Sequence, residues 1–159
     1  MSLELFVPGR VCLFGEHSDW AAGHRRANSK IEKGYTLITG TNQGLYARVD
    51  PHPSALVFRS TMPDGHTLDV REIQMEPDLL LKEAESGGFF SYAAGVAFYI
   101  LTHYRVRGLV IDNYRTDLPV KKGLSSSAAV CVLTARAFNR IYDLRMTVPG
   151  EMEYAYLGE

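Results

Sequence analysis

The sequence predicts an α+β fold in which a sheet is covered on one side by helices. Strand candidates are concentrated in the first part of the chain and helix candidates in the second, and runs of strands followed by runs of helices are typical of α+β domains. The 159 residues are close to the usual size of one domain and can bury a sizeable core. Because we find no repeat, low-complexity tract or linker, we expect a single domain over residues 1–159.

Composition and charge exclude several classes of partner. The chain is 46% hydrophobic and 22% charged, as is usual for a soluble globular protein. A formal net charge of -1 gives no signal for nucleic acid or a membrane surface, so any anion binding has to be local. The N-terminus lacks a signal-peptide pattern, and Cys12 and Cys131 lie in apolar runs without a CxxC pair. We therefore expect a cytoplasmic protein with reduced core thiols.

The first residues predict two short strands followed by a functional loop. Leu3–Val7 alternates apolar and charged residues, and Arg10–Phe14 is almost continuously apolar. Pro8-Gly9 separates the two, because these residues commonly interrupt regular structure. The polar segment Glu16–Lys30 is then predicted as a loop that can carry site residues.

The next part of the chain predicts two pairs of strands. Tyr35–Thr39 and Leu45–Val49 are separated by the turn-rich residues 40–44. Leu56–Phe58 and Thr67–Val70 are predicted to form a hairpin, since Pro63-Asp64-Gly65 between them is typical of a turn.

The second half predicts helices around one further strand. Pro77 favours the first turn of a short helix that ends near Ser86. Apolar residues at helical spacing predict a buried helix over Phe89–Tyr104, and Leu109–Ile111 reads as a central strand. An amphipathic helix is predicted from Ser126, and a last helix over Gly150–Glu159.

A glycine and three serines precede the helix predicted from Ser126. The stretch Pro119–Ala129 reads Pro-Val-Lys-Lys-Gly-Leu-Ser-Ser-Ser-Ala-Ala. The first N–H groups of a helix have no intrahelical acceptor and carry partial positive charge, so they can bind an anion. Serine hydroxyls there can hydrogen-bond a phosphate or ligate a hard cation. The alternative is a serine that caps the helix without any ligand.

A second polar cluster follows the second predicted strand. Glu16, His17 and Asp19 lie together in the sequence, with Arg10 at the start of that strand. Two carboxylates and an imidazole can hydrogen-bond sugar hydroxyls or contribute to a metal site. A metal site is the weaker interpretation because the cluster contains one histidine, and a solvated polar turn is the alternative.

The two motifs together resemble those of the GHMP family of small-molecule kinases. Pro-Gly-Arg at residues 8–10 and Gly-Glu-His-Ser-Asp at 15–19 are most similar to galactokinases. Gly-Leu-Ser-Ser-Ser-Ala-Ala follows about a hundred residues later at a predicted helix start. The resemblance covers the whole chain but only the N-terminal half of a typical member. It implies the N-terminal domain of such a kinase, with a fold like that of ribosomal protein S5 domain 2.

The resemblance implies a role for each motif residue. The segment that contacts the sugar would comprise Glu16, His17, Ser18 and Asp19, and Arg10 would stabilise charge near the reacting hydroxyl. The loop that binds the phosphates of ATP would comprise Lys121, Lys122, Gly123, Leu124, Ser125, Ser126 and Ser127. Ser127 and Glu159 would hold Mg²⁺, with Glu151 and Glu153 as competing carboxylates.

Two departures from the family pattern bear on specificity. Lys121 and Lys122 stand where members usually have small residues, and they either add charge beside the phosphates or point to solvent. The residues 21–24, Ala-Ala-Gly-His, depart from the galactokinase pattern. The phosphate acceptor is therefore expected to be a sugar or a sugar acid, without a commitment to galactose.

The implied activity is ATP-dependent phosphorylation of a small-molecule hydroxyl group. The catalytic aspartate of the family belongs to a later motif than the residues present here, so we expect little turnover from this chain alone. A kinase-like module that binds sugar or nucleotide without chemistry is the alternative, and a purely structural S5-like domain is a weaker one. Apolar surface near residues 148–159 is further expected to promote self-association.

Overall fold

The computed structural model describes residues 2–15, 20–118 and 126–159, apart from the side chains of residues 20–23. It contains five strands and five helices within those ranges. In chain order they are β1 (Leu3–Phe14), α1 (Trp20–Ala27), β2 (Leu37–His52), β3 (Ala55–Ser60), β4 (Arg71–Gln74), α2 (Pro77–Ala84), α3 (Ser91–His103), β5 (Gly108–Thr116), α4 (Ser126–Tyr142) and α5 (Val148–Gly158).

The strands form one mixed sheet in the order β1-β2-β5-β3-β4. β5 is central: it is antiparallel to β2 and parallel to β3. The outer pairs, β1 with β2 and β3 with β4, are antiparallel. The sheet confirms the predicted α+β class and the central strand predicted at Leu109–Ile111.

One face of the sheet is buried in the core. Buried and exposed side chains alternate along β2, as expected for a strand with one buried face. Ala47 and Val49 are fully buried, whereas Arg48 between them is exposed. α4 packs against β1, β2 and β5, and α3 packs against β3, so these helices cover the buried face. The largest fully buried side chains include Phe58, Leu56, Leu80, Ile100, Leu133 and Phe138.

Pro8-Gly9 and residues 40–44 were each predicted to separate two strands. In the structure each lies within one continuous strand, β1 or β2, where the pairing is irregular. Pro8 pairs with Gly44 and Arg10 with Gly40, so the register shifts there and β2 contains extra residues opposite Gly9. The hydroxyl of Thr41 donates to the carbonyl oxygen of Gln43 at 2.7 Å within this bulge. The predictions of separate strands were therefore wrong, because pairing between the strands overrides the local turn signals.

Two further predictions for the first half need correction. Residues 20–27 form a helix, although Glu16–Lys30 was predicted as a loop; residues 16–19 lie outside the described part of the chain. The last hairpin strand is β4, which begins at Arg71, whereas Thr67 forms only an isolated bridge with Thr61. Burial explains the shift, because Ile73 packs into the core while Val70 is half exposed.

The helices predicted in the second half are confirmed. α2 begins at Pro77 as predicted, and α3 occupies most of the segment predicted to be buried and helical. α4 begins at Ser126. α5 contains Pro149 in its first turn, and the Thr147 hydroxyl caps it by accepting from the Gly150 N–H at 3.3 Å.

The two cysteines have different environments. Cys131 is fully buried in α4, and burial together with the nearby Glu159 carboxylate raises the pKa of its thiol to about 12. Cys12 is partly exposed, so the prediction of a core position is wrong for this residue. Both are free thiols, as predicted. Among the described residues, the helices are too short or too polar to cross a membrane.

Candidate nucleotide and metal site

A serine and a glutamate that are 32 residues apart in sequence meet at one end of the α4–α5 pair. Ser127 lies in the first turn of α4, and Glu159 directly follows α5. The Ser127 hydroxyl donates to Oε1 of Glu159 at 2.7 Å. This contact joins the two residues that the resemblance assigned to Mg²⁺.

The chemistry of this pair fits a hard divalent cation. Mg²⁺ prefers oxygen ligands and is usually held by one or two carboxylates together with substrate phosphates. The Ser127 hydroxyl and the Glu159 carboxylate are such ligands, and they already lie within hydrogen-bonding distance of each other. In the described part of the chain, His, Cys, Asp and Glu nowhere form a group of three that could hold a metal. Ser127 and Glu159 are therefore suited to a cation that is shared with a phosphate.

The other two candidate carboxylates are placed differently. Glu151 is buried and accepts from Nε of Arg136 at 2.9 Å and from Nδ2 of Asn139 at 2.7 Å. Its oxygens are therefore engaged between α4 and α5. Glu153 is exposed on α5. Of the three carboxylates, Glu159 is the one that the structure places against Ser127.

The buried contacts of Glu151 also fix how α5 lies beside α4. Asn139 continues the network, because its Oδ1 accepts from the backbone N–H of Met146 at 3.0 Å in the turn between the helices. Asp143 and Arg145 in this turn have positive φ angles of 47° and 56°. The tight turn and the ion pair together return α5 antiparallel along α4, so its end lies beside the start of α4.

A buried asparagine organises the strand that leads towards the serine stretch. Asn113 of β5 donates through Nδ2 to the carbonyl oxygens of Tyr46 and Arg115, at 3.0 and 2.9 Å. Its Oδ1 accepts from the hydroxyls of Ser60 and Thr116, both at 2.8 Å. All four positions of the amide are therefore used, and β2, β3 and the end of β5 are joined.

Sequence reasoning missed Asn113. The available signal was an amide two residues after the apolar run of a central strand, where a buried polar side chain needs partners. Beyond β5, Leu118 is fully buried. The described residues on either side of the predicted phosphate-binding segment are thus the buried Leu118 and the first residue of α4, Ser126.

The sugar-contacting residues were predicted around the end of β1. Arg10 lies in β1 opposite Gly40, and its side chain is exposed. Gly15 has a φ of 78°, and a Cβ there would overlap the carbonyl oxygen of Tyr35, so this position requires glycine. The hydroxyl of Thr36 donates to the Gly15 carbonyl at 3.3 Å. This geometry fixes the backbone at Gly15, the last described residue before the predicted sugar-contacting segment.

Nine of the predicted site residues lie outside the described part of the chain. Outside the described residues lie Glu16, His17, Ser18, Asp19, Lys121, Lys122, Gly123, Leu124 and Ser125. Ser126 is the first residue of α4. The structure therefore brings Ser127 and Glu159 together, and the roles assigned to all of the site residues stay predictions.

The chain is similar in sequence to kinases of known function. The family model for the GHMP kinases N terminal domain matches residues 91–159. The galactokinase of Pyrococcus furiosus is 29% identical over 140 residues, covering 87% of this chain and 34% of that protein. The galactokinase of Clostridium acetobutylicum is 29% identical over 148 residues, covering 90% and 33%. The chain thus spans about a third of the length of these curated relatives.

Solved structures share the fold. The mevalonate kinase of Methanococcus jannaschii matches with a TM-score of 0.73 at 16% identity, over 100% of this chain and 46% of that one. The Lactococcus lactis galactokinase complexed with galactose matches with a TM-score of 0.71 at 21% identity, over 99% and 39%. Residues 91–159 therefore match the N-terminal domain of GHMP kinases, galactokinases are distant relatives of the chain, and the chain shares its fold with these solved kinase structures.

Proposed function

We propose that residues 1–159 form the substrate- and ATP-binding domain of a cytoplasmic kinase that phosphorylates a hydroxyl group of a sugar or sugar acid. The observation that carries this proposal is the hydrogen bond between Ser127 and Glu159 at the start of α4. Ser127 is the last residue of the serine stretch that resembles the phosphate-binding loop of GHMP kinases, a family that uses ATP.

On the nucleotide side, the chain would bind and orient phosphates. The first N–H groups of α4 have no intrahelical acceptors, and the helix dipole adds partial positive charge there. With Gly123–Ser127 they would form the phosphate-binding segment, and Lys121 and Lys122 either add charge or face solvent. Ser127 and Glu159 would hold Mg²⁺. ATP with its metal supplies the phosphoryl group and neutralises charge that develops during transfer.

On the acceptor side, we propose that the residues after β1 orient the reacting hydroxyl. Glu16, His17, Ser18 and Asp19 would hydrogen-bond the sugar, and Arg10 would offset negative charge in the transition state. The distant galactokinase relatives support a sugar as the acceptor. None of these residues is assigned the role of the base that removes the hydroxyl proton.

The proposed function is tested by titrating the chain with MgADP and MgATP, each with a panel of monosaccharides and sugar acids. We expect nucleotide and sugar binding by calorimetry and little turnover in a coupled ADP-release assay. Sugar binding without nucleotide binding would contradict the kinase assignment. Rapid turnover would overturn the expectation that the base lies outside these residues. A folded sample that binds neither ligand would favour the purely structural alternative.

Removing either proposed metal ligand should weaken the metal-dependent part of nucleotide binding. We expect Ser127→Ala and Glu159→Gln each to reduce the affinity for MgADP by about 10-fold, because loss of an interaction at a metal site typically has an effect of this size. The affinity of Glu159→Gln for ADP in the presence of EDTA should stay the same. Glu153→Gln, an exposed carboxylate on the same helix, is the matched control. Equal losses with and without metal would refute the assignment.

Self-association stays a prediction. The exposed apolar side chains of α5 are a surface through which it could occur. Val148, Met152 and Tyr156 follow one another at helical spacing and are 61%, 57% and 77% exposed. An apolar stripe of this kind favours contact with another apolar surface. Light scattering at increasing protein concentration should show dimers or larger species that Met152→Glu and Tyr156→Glu reduce. A monodisperse monomer at all concentrations would contradict the prediction.

A further inference from the structure

α5 ends in direct backbone contact with α3. A Cβ placed on Gly95 of α3 would lie far inside van der Waals distance of the carbonyl oxygen of Gly158. A Cβ placed on Gly158 would overlap backbone atoms of Val96 in the same way. The two helices therefore approach each other at this point more closely than any other pair of residues would allow. This contact requires glycine on both sides.

The contact lies immediately before the proposed cation ligand. Gly158 is the last residue of α5, and Glu159, the next residue, accepts the hydrogen bond from Ser127. About two helical turns earlier, Glu151 fixes the same helix through its buried contacts to α4. α5 is thus fixed at two points: Glu151 sets its position along α4, and Gly158 sets how deeply its end lies against α3.

How closely the end of α5 approaches α3 matters because the Ser127–Glu159 hydrogen bond tolerates only a small displacement of Glu159. The Ser127 and Glu159 oxygens are 2.7 Å apart, and a displacement of about 1 Å takes such a pair beyond hydrogen-bond range. A methyl group on either glycine meets backbone atoms, which cannot rotate away as a side chain would. The helix would therefore have to move, and Glu159 would move with it.

We infer that Gly95 and Gly158 are positioning residues for the divalent-cation site, because their contact holds the Glu159 carboxylate beside the Ser127 hydroxyl. The role of the cation rests on the proposed function, whereas the placement of Glu159 does not. The inference adds two residues, outside both family motifs, on which metal affinity depends.

The placement is tested first by NMR on the folded chain. In the unmodified protein we expect nuclear Overhauser effects between the side-chain protons of Ser127 and Glu159. Gly95→Ala and Gly158→Ala should remove them. Gly150→Ala is the matched control on the same helix, since a Cβ there would make only ordinary contacts with Met146 and Thr147. It should leave the Ser127–Glu159 signals unchanged.

The second readout is metal binding measured without turnover. Electron paramagnetic resonance of Mn²⁺ in the presence of ADP gives the fraction of bound metal. We expect Gly95→Ala and Gly158→Ala to weaken Mn²⁺ binding by about 10-fold, as changes that reorient a metal ligand typically do. Affinity for metal-free ADP should not change, which separates a positioning role from general damage to the domain. Gly150→Ala should bind Mn²⁺ like the unmodified chain.

The outcomes separate this inference from the proposed function. Signals that persist in Gly158→Ala and Gly95→Ala overturn the positioning role, whatever the metal does. Loss of the signals with unchanged Mn²⁺ affinity also overturns it, because Glu159 would then not be a ligand. If the unmodified chain binds no Mn²⁺, the proposed metal site fails, and the NMR comparison still decides the placement. Gly158 is the last residue of α5, where a substitution disturbs the fold less than one in the middle of α3. Gly158→Ala therefore tests the inference even if Gly95→Ala does not fold.

Discussion

Glu151→Ala should lower the free energy of unfolding by about 3–5 kcal/mol, the usual effect of removing one partner from a buried ion pair. The Glu151 side chain is only 4% exposed and its partner, the Arg136 side chain, is 26% exposed. The substitution leaves the Arg136 guanidinium without its carboxylate and Nδ2 of Asn139 without one acceptor. Both groups lie between α4 and α5, so the packing of the two helices should be weakened.

Urea denaturation followed by circular dichroism measures this effect. Glu153→Ala, at an exposed position of the same helix, should change the unfolding free energy by less than about 0.5 kcal/mol. The double variant Arg136→Met with Glu151→Met should recover most of the loss, because a buried ion pair can often be replaced by apolar side chains. A small effect of Glu151→Ala would show that the ion pair is not what holds α5 against α4.

Asn113→Ala is expected to lower the free energy of unfolding by about 2–6 kcal/mol, because it removes the side-chain donor of two backbone carbonyls and each such loss costs about 1–3 kcal/mol. These are the carbonyls of Tyr46 in β2 and Arg115 in β5. The hydroxyls of Ser60 and Thr116 also lose their acceptor, but they can rotate towards another. The central strand should therefore be less firmly held to both of its neighbours.

The same substitution should affect the candidate site through the end of β5. Hydrogen exchange in residues 113–118 should increase more than exchange in α3, since Asn113 joins the end of this strand to β2 and β3. Asn113→Asp should destabilise at least as much, because a second oxygen replaces the amide donor that faces two carbonyls. Asn42→Ala, at an exposed position of β2, is the control. Unfolding energies within 1 kcal/mol of the unmodified chain would refute this role for Asn113.

The elements that were predicted correctly are those whose signal is local. α3 and α4 have apolar residues at helical spacing, and α5 has proline in its first turn. The pairing of Ser127 with Glu159 was predicted from the family resemblance, and the structure brings the two side chains together. Its role in metal binding stays a prediction.

The elements that were missed depend on partners that are distant in sequence. β1 and β2 are continuous because each pairs with the other across a bulge, which neither Pro8-Gly9 nor residues 40–44 shows alone. α1 is only 8 residues long, polar on average and contains Gly23, so its sequence was interpreted as a loop. Gly95 reads as an ordinary glycine within an apolar helix until Gly158 is placed against it.

The strand order also has a consequence for how the chain acquires its structure during synthesis. β1 pairs with β2, and β3 with β4, so both hairpins can form from neighbouring segments. β5 is inserted between them and pairs with β2 and β3 only after Thr116 has emerged. Until then the inner edges of both hairpins expose unpaired backbone groups to other chains. The interval before β5 docks is therefore when a nascent chain is most open to intermolecular pairing and aggregation.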